Sequence, residues 1–84
     1  MKYELQITPR AVKELSKLHK ADLKKVRAAI GLLSYDPRPA GCKKLRGVEA
    51  WRIRIGDYRV IYEIHDDKLL VIVFRAGHRS SVYE

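Results

Sequence analysis

The chain has 84 residues, of which 46% are hydrophobic and 33% are charged. This length fits one domain around a single core, and the apolar content excludes a disordered chain. The 18 lysines and arginines outnumber the 10 acidic residues and give a net charge of +8. Such an excess favours a polyanionic partner, either nucleic acid or an acidic protein. We therefore expect a single basic domain over residues 1–84.

Several classes of protein are excluded by what the sequence lacks. Cys42 is the only cysteine, so an intrachain disulfide cannot form. The N-terminus does not resemble a signal peptide, and no apolar run reaches the roughly 18 residues of a membrane span. The three histidines are far apart, and no Cys/His spacing indicates a metal site. We expect a cytoplasmic protein that has no metal or other cofactor and does not bind a membrane.

The first half of the chain predicts one strand followed by two helices. Residues 2–7 alternate apolar with polar side chains, which is typical of a strand. Thr8 and Pro9 are suited to the N-cap and first position of a helix, and Asp22 could help to cap a second helix. Apolar residues recur at helical spacing in both helices, and packing against a core is the simplest explanation; they are Ala11 or Val12, Leu15 and Leu18, then Leu23, Val26, Ile30 and Leu33.

The second half predicts a loop followed by strands. Residues 36–41 contain two prolines and a glycine, which end the second helix. Residues 43–46 predict a short edge strand, and residues 51–55, 58–64 and 69–75 predict three more. One face of this sheet is apolar and should be covered by the helices; its residues are Ile53, Ile55, Tyr58, Val60, Tyr62, Ile64, Val71 and Val73.

Gly56-Asp57 predicts a two-residue hairpin turn, in which glycine supplies a positive φ. This turn would place Arg54 directly opposite Arg59 and Arg52 diagonally from Arg59, on the face away from the helices. Facing like charges destabilise a sheet, so the cluster indicates an anionic ligand, and we expect phosphate. The alternative is an ordinary solvated outer face.

Basic residues are concentrated in the middle of the chain. Seven basic residues lie between positions 38 and 59, against two acidic ones; the basic residues are Arg38, Lys43, Lys44, Arg46, Arg52, Arg54 and Arg59. This distribution strengthens the expectation of a polyanionic partner.

Four motifs, in order, resemble those of the RelE/ParE toxin superfamily: Lys44-Leu45-Arg46-Gly47, Arg52-Ile53-Arg54, Gly56-Asp57-Tyr58-Arg59-Val60-Ile61-Tyr62, and Gly77-His78-Arg79 followed by Val82-Tyr83. The resemblance covers nearly the whole chain. It implies an α+β fold of the microbial-RNase-like type, in the order β-α-α-β-β-β, with two helices on one face of a small antiparallel sheet. It also implies the toxin of a type II toxin–antitoxin system, held by a cognate RelB-like antitoxin.

The superfamily has two functional branches. RelE-like members are mRNA interferases that cut mRNA in the ribosomal A site, with rRNA and mRNA as partners, whereas ParE-like members poison DNA gyrase. The resemblance to RelE-like members implies a set of catalytic residues, Arg52, Arg54, Arg59, Arg79 and Tyr83, and a set of RNA-binding residues, Lys43, Lys44, Arg46 and His78. A gyrase inhibitor and a non-catalytic nucleic-acid-binding relative remain the alternatives.

The general base is the one role that the resemblance leaves open. The family often has lysines where this chain has Arg52 and Arg54, and arginine stays protonated with a pKa above about 12. Tyr83 is then a candidate base, if the arginines lower its pKa, and His78 is another. Each also has a simpler explanation, since Tyr83 could anchor the C-terminal tail and His78 could be a turn residue.

Overall fold

The computed structural model describes residues 2–78. Within that range the chain forms two α-helices and a five-stranded sheet. The elements are β1 (Glu4–Ile7), α1 (Pro9–Leu15), α2 (Lys20–Leu32), β2 (Lys43–Lys44), β3 (Trp51–Ile55), β4 (Tyr58–His65) and β5 (Leu70–His78), with a short 3₁₀ turn at Asp66–Lys68. The predicted α+β class and element order are confirmed.

The sheet is mixed rather than wholly antiparallel. Its strand order is β1-β5-β4-β3-β2, and β1 runs parallel to β5, with Glu4 opposite Leu70. The prediction of an antiparallel sheet is therefore wrong at this one strand. The chain leaves β1 through both helices before it enters the sheet at the opposite edge, so β1 has no hairpin partner and takes the free edge of β5.

The sequence signals at the helix starts hold for α1 but not for α2. Thr8 caps α1, because its Oγ1 accepts a hydrogen bond from the Ala11 amide at 3.2 Å, and Pro9 is the first helical residue. The N-cap of α2 is His19, whose side chain makes no capping bond, and Asp22 lies in the first turn. The Asp22 carboxylate instead accepts a hydrogen bond from the Tyr58 hydroxyl on β4 at 2.9 Å.

Both helices pack on one face of the sheet, as predicted. The buried core joins side chains of the two helices to alternate residues of β3, β4 and β5; its members are Ala11, Leu15, Val26, Ile30, Leu33, Ile53, Val60, Tyr62, Val71, Val73 and Ala76. Each large apolar side chain buried in this way contributes about 1.5–3 kcal/mol to folding. Because strand residues alternate between faces, the arginines of β3 and β4 project from the other side.

Two polar contacts secure segments that the core does not cover. The Arg38 guanidinium binds the Asp66 carboxylate at 2.8 Å and lies over the Trp51 ring, with 5.0 Å to its centroid. This contact ties the loop after α2 to the turn between β4 and β5. Beyond the end of β1, Glu14 of α1 accepts the backbone N–H of Ala76 at 2.9 Å, so a carboxylate occupies the edge of β5 there.

Candidate functional site

The hairpin between β3 and β4 has the predicted geometry. Gly56 adopts φ +59°, and Ile55 pairs with Tyr58 on either side of the two-residue turn. Arg54 is therefore directly opposite Arg59, with Cβ atoms about 5 Å apart. Arg54 is exposed and Arg59 is half-buried. Two guanidiniums thus emerge together at one end of the sheet face that the helices leave open.

Gly77 completes this row of the sheet. It pairs with Arg59 on β5 and is buried although it has no side chain. The row across three strands is therefore Arg54, Arg59 and Gly77. A glycine in a strand interior often marks a place where a ligand approaches the backbone closely. The side chains that this row contributes to the sheet face are therefore those of Arg54 and Arg59.

Arg52 lies on the predicted face, diagonal to Arg59, but it is buried there rather than open to a ligand. Only 8% of the Arg52 surface is exposed. Arg52 lies one row further along β3, between Lys43 on β2 and Ile61 on β4. Arg52 therefore has a strand on each side, whereas Arg54 extends beyond the end of the two-residue β2. Arg52 can add positive charge beneath the site but presents little surface to a substrate.

The basic residues around β2 divide between the two faces. Lys43 pairs with Arg52 and shares its face, and Arg46 is exposed in the following turn. Lys44 pairs with Trp51, on the helix side, and its Nζ lies 3.2 Å from the Glu49 carboxylate. Lys43 therefore lies on the arginine face and Lys44 does not, while Arg46 lies in the turn that joins β2 to β3.

His78 lies on the opposite face from Arg54 and Arg59. It pairs with Tyr58 at the end of β5, and the two rings meet edge to face with centroids 6.0 Å apart. The hydrogen bond to Asp22, together with burial, raises the pKa of Tyr58. The structure thus separates His78 from the arginines with which the sequence grouped it. Arg79 and Tyr83 lie outside the described residues.

An apolar groove on the arginine face was missed by the sequence analysis. It has a volume of about 350 Å³, and its floor is formed by Leu45, Ala50, Ile61 and Phe74. Three charged residues, Glu49, Glu63 and Arg75, also line it. The signal was present, because Ile61 and Phe74 are apolar residues out of phase with the alternation that defines the core face. Strands that are apolar on both faces indicate a second buried or binding surface.

The described residues offer little else for cofactor or ion chemistry. Within residues 2–78, no three histidine, cysteine or acidic side chains gather closely enough to hold a metal ion. None of the helices in that range is long and apolar enough to cross a membrane.

Arg38, one of the basic residues counted in the sequence, forms an ion pair with Asp66. This pair, together with the hydrogen bond from the Tyr3 hydroxyl, lowers the pKa of Asp66 to about 2.

A small basic α+β domain that presents two guanidiniums on an open sheet face fits the class of proteins whose surface chemistry suits phosphate groups. Comparison with known proteins narrows the class. Residues 5–83 match the family model for the ParE toxin of the type II toxin–antitoxin system parDE. The chain therefore belongs to the RelE/ParE family of type II toxins.

Individual relatives agree with this assignment. Toxin RelG of Mycobacterium tuberculosis is 36% identical, with 99% of this chain and 98% of the relative aligned. The mRNA interferase toxin RelE of Escherichia coli K12 is 32% identical, over 99% of this chain and 92% of the relative. The crystal structure of the RelBE2 toxin–antitoxin complex of M. tuberculosis matches with a TM-score of 0.83 and 33% identity, covering 94% of this chain and all of the other.

Proposed function

We propose that this toxin is a ribosome-dependent endoribonuclease that cleaves mRNA in the A site and so stops translation. The observation that carries the proposal is the facing pair Arg54 and Arg59 on the open side of the sheet. Facing like charges cost stability, and a phosphate between them would relieve that repulsion. The similarity to a relative named as an mRNA interferase supports RNA as the source of the phosphate.

The proposed reaction is attack by the ribose 2′-hydroxyl on the adjacent phosphate. The 2′ oxygen loses its proton and bonds to phosphorus, the bond to the 5′ oxygen breaks, and that oxygen gains a proton. The products are a 2′,3′-cyclic phosphate and a 5′-hydroxyl. Guanidiniums suit the step because they donate two parallel hydrogen bonds to phosphate oxygens and stay charged. This charge stabilisation needs no metal ion.

The arginines differ in the roles that we assign to them. Arg59 and Arg79 stabilise the phosphorane and the leaving oxygen, and Arg54 neutralises charge from the exposed side. Arg52 acts through its charge from beneath, because it is buried. Lys43 and Arg46 hold the RNA backbone at the border of the site. Lys44 and His78, on the other face, are left out of this RNA site.

The general base is assigned to Tyr83. An arginine is a poor base because its pKa is above about 12. His78 is on the helix side of the sheet, beside Tyr58, and so faces away from a phosphate held by Arg54 and Arg59. A tyrosine close to several guanidiniums would have a lowered pKa. A site with so few bases would also depend on the ribosome to orient the 2′-hydroxyl for attack.

A second candidate is inhibition of DNA gyrase without RNA chemistry. It is favoured by one observation, the match of residues 5–83 to the family model named for ParE. The two functions give different products. An interferase leaves cut mRNA and normal supercoiling, whereas a gyrase inhibitor leaves intact mRNA and blocked supercoiling.

Primer extension on mRNA in a translating extract tests the proposal. The wild type should cut mRNA when ribosomes are present and leave naked RNA intact. Arg59→Ala and Arg54→Thr should each lower single-turnover cleavage by about 10²–10³-fold, as the loss of a transition-state donor does. Lys24→Ala, an exposed site on α2, is the control and should cleave normally. Equal cutting of naked RNA, or full activity of both arginine variants, would contradict the proposal.

A further inference from the structure

The apolar groove beside the arginines has the composition of a base-binding pocket. Phe74 and Ile61 form its floor, and each is part of a small apolar cluster on the face away from the helices. Phe74 is half-buried, so part of its side chain remains accessible. Aromatic side chains on an open sheet are platforms on which single-stranded bases stack, for about 1–3 kcal/mol per base.

The groove also disfavours phosphate. Glu63 projects from the same face as Ile61, two residues along β4, and lines the groove. Arg75 lines it as well, but its guanidinium is paired with the Glu14 carboxylate at 3.0 Å. His65 lies 2.9 Å from one carboxylate oxygen of Glu63 and orients it. A carboxylate above an apolar floor repels phosphate but accepts hydrogen bonds from N–H groups. The groove and the arginine pair therefore select different parts of a nucleotide.

The spacing of the two sites matches one nucleotide. Arg59 and Ile61 are two residues apart on β4 and share a face. Two residues of a strand span about 7 Å, which is comparable to the separation of a nucleotide's phosphate from its own base. A phosphate held by Arg54 and Arg59 would bring the attached base over Ile61 and Phe74.

We propose that this groove is a nucleobase subsite, in which the base stacks on Phe74 and donates hydrogen bonds from its edge to Glu63. The inference rests on the proposed function, because it takes RNA to be the ligand of the arginine face. Guanine suits the subsite best, since its Watson–Crick edge has adjacent N–H donors that a carboxylate can accept in a bidentate manner. Uracil suits it worst, because two carbonyl oxygens flank its single N–H donor.

Nuclear magnetic resonance titration of the isolated toxin tests the subsite directly. The probes are guanosine 5′-monophosphate, uridine 5′-monophosphate and inorganic phosphate. The guanosine nucleotide should shift the signals of the Ile61 methyls and the Phe74 ring at lower concentration than the uridine nucleotide. Inorganic phosphate should shift the guanidinium signals of Arg54 and Arg59 and leave the groove signals in place.

Two variants locate the contacts, and a third serves as control. Phe74→Leu keeps an apolar floor but removes the stacking ring. It should weaken the binding of both nucleotides about tenfold, within the range of one stacked base. Glu63→Gln should reduce the preference for guanosine over uridine by about tenfold. Asp67→Asn removes the same charge from an exposed position outside the groove and should leave that preference unchanged.

The outcomes separate this inference from the proposed function. The subsite proposal would be overturned if the groove signals shift with neither nucleotide, or if they shift equally with inorganic phosphate. This holds even if the toxin cuts mRNA on ribosomes. Shifts caused by the antitoxin and by neither nucleotide would also overturn the subsite proposal, and would assign the groove to the antitoxin. Nucleotide binding in the groove without any ribosome-dependent cleavage would instead contradict the proposed function.

Discussion

At the scale of single residues, the facing pair Arg54 and Arg59 should lower the stability of the sheet. Their side chains are directly opposite on neighbouring strands, and like charges in this position destabilise a sheet. Arg54→Thr should therefore raise the free energy of unfolding by about 0.2–1 kcal/mol, measured by urea denaturation at low salt. Arg46→Thr, which removes a charge from an exposed turn, is the control. Unfolding of the Arg54 variant would mean that the pair is structural.

Tyr62 gives a second prediction at this scale, on alkaline stability. It is fully buried, and its hydroxyl donates to the Pro37 carbonyl at 2.6 Å. Burial raises the pKa of Tyr62 far above its usual value of 10.0. Above pH 10 the unfolded chain releases this proton and the folded chain keeps it, so stability should fall by about 1.4 kcal/mol per pH unit.

The alkaline slope isolates Tyr62 from the other tyrosines. Tyr62→Phe should be less stable at neutral pH, because the Pro37 carbonyl loses its buried donor. Its stability should nevertheless fall less steeply than that of the wild type between pH 10 and pH 11, as followed by urea denaturation. A slope equal to that of the wild type would show that the alkaline transition belongs to other groups.

At the scale of elements, one glycine sets the register of the site. Gly56 has φ +59°, and no atom outside its immediate neighbours lies within 4 Å of where a Cβ would be. Gly56→Ala should therefore cost about 1–2 kcal/mol through backbone strain alone. Gly31→Ala, in helix α2 with equal space and no positive φ, should stabilise by about 0.5–1 kcal/mol. Thermal unfolding of both variants checks the prediction, and equal effects would refute it.

The same hairpin shows how much the sequence can predict. Gly56-Asp57 is a local signal, and it correctly gave the register of Arg54 and Arg59. The burial of Arg52 is not a local property, because its neighbours Lys43 on β2 and Ile61 on β4 come from other parts of the chain. The parallel pairing of β1 is likewise set by the path of the whole chain.

Faces of strands were predicted better than the extent of strands. The last strand was expected to end at Arg75, but β5 continues to His78. Beyond the end of β1, Glu14 supplies a partner for the Ala76 amide, and such a contact between distant residues leaves no periodic trace in the sequence. The extension places Gly77 opposite Arg59 and turns His78 to the helix side. A set of site residues chosen from motifs therefore spanned two faces of one sheet.

At the scale of the whole molecule, two surfaces are suited to an acidic antitoxin. One is the arginine face. The other is an apolar groove of about 260 Å³ on the helix side, lined by Ile7, Val12, Leu15, Ser16, Leu23 and Arg27. Val12 is 52% exposed there. An amphipathic antitoxin helix could bury its apolar face in such a groove. Carboxylates elsewhere on the antitoxin would then approach the arginine face.

These two surfaces should control different steps of antitoxin binding. The net charge of +8 steers an acidic partner, so added salt should slow association strongly. Buried apolar contacts are not screened, so dissociation should change little. Stopped-flow binding of the cognate antitoxin between roughly 50 and 500 mM salt should show an on-rate that falls more than about tenfold. The off-rate should rise far less.

Two variants assign each step to its surface. Arg54→Thr removes charge from the arginine face and should lower the on-rate and its dependence on salt, with little change in the off-rate. Val12→Asn makes the helix-side groove polar and should raise the off-rate by at least about tenfold, because an apolar contact of this size is worth about 1.5–3 kcal/mol. Ribosome-dependent cleavage by Val12→Asn should stay normal, since Val12 is on α1 and the arginines are on the other side of the sheet.

Two outcomes would contradict this assignment. An on-rate that does not respond to salt would show that the antitoxin does not approach through the basic face. An unchanged off-rate in Val12→Asn would show that the apolar contacts of the antitoxin lie outside the helix-side groove.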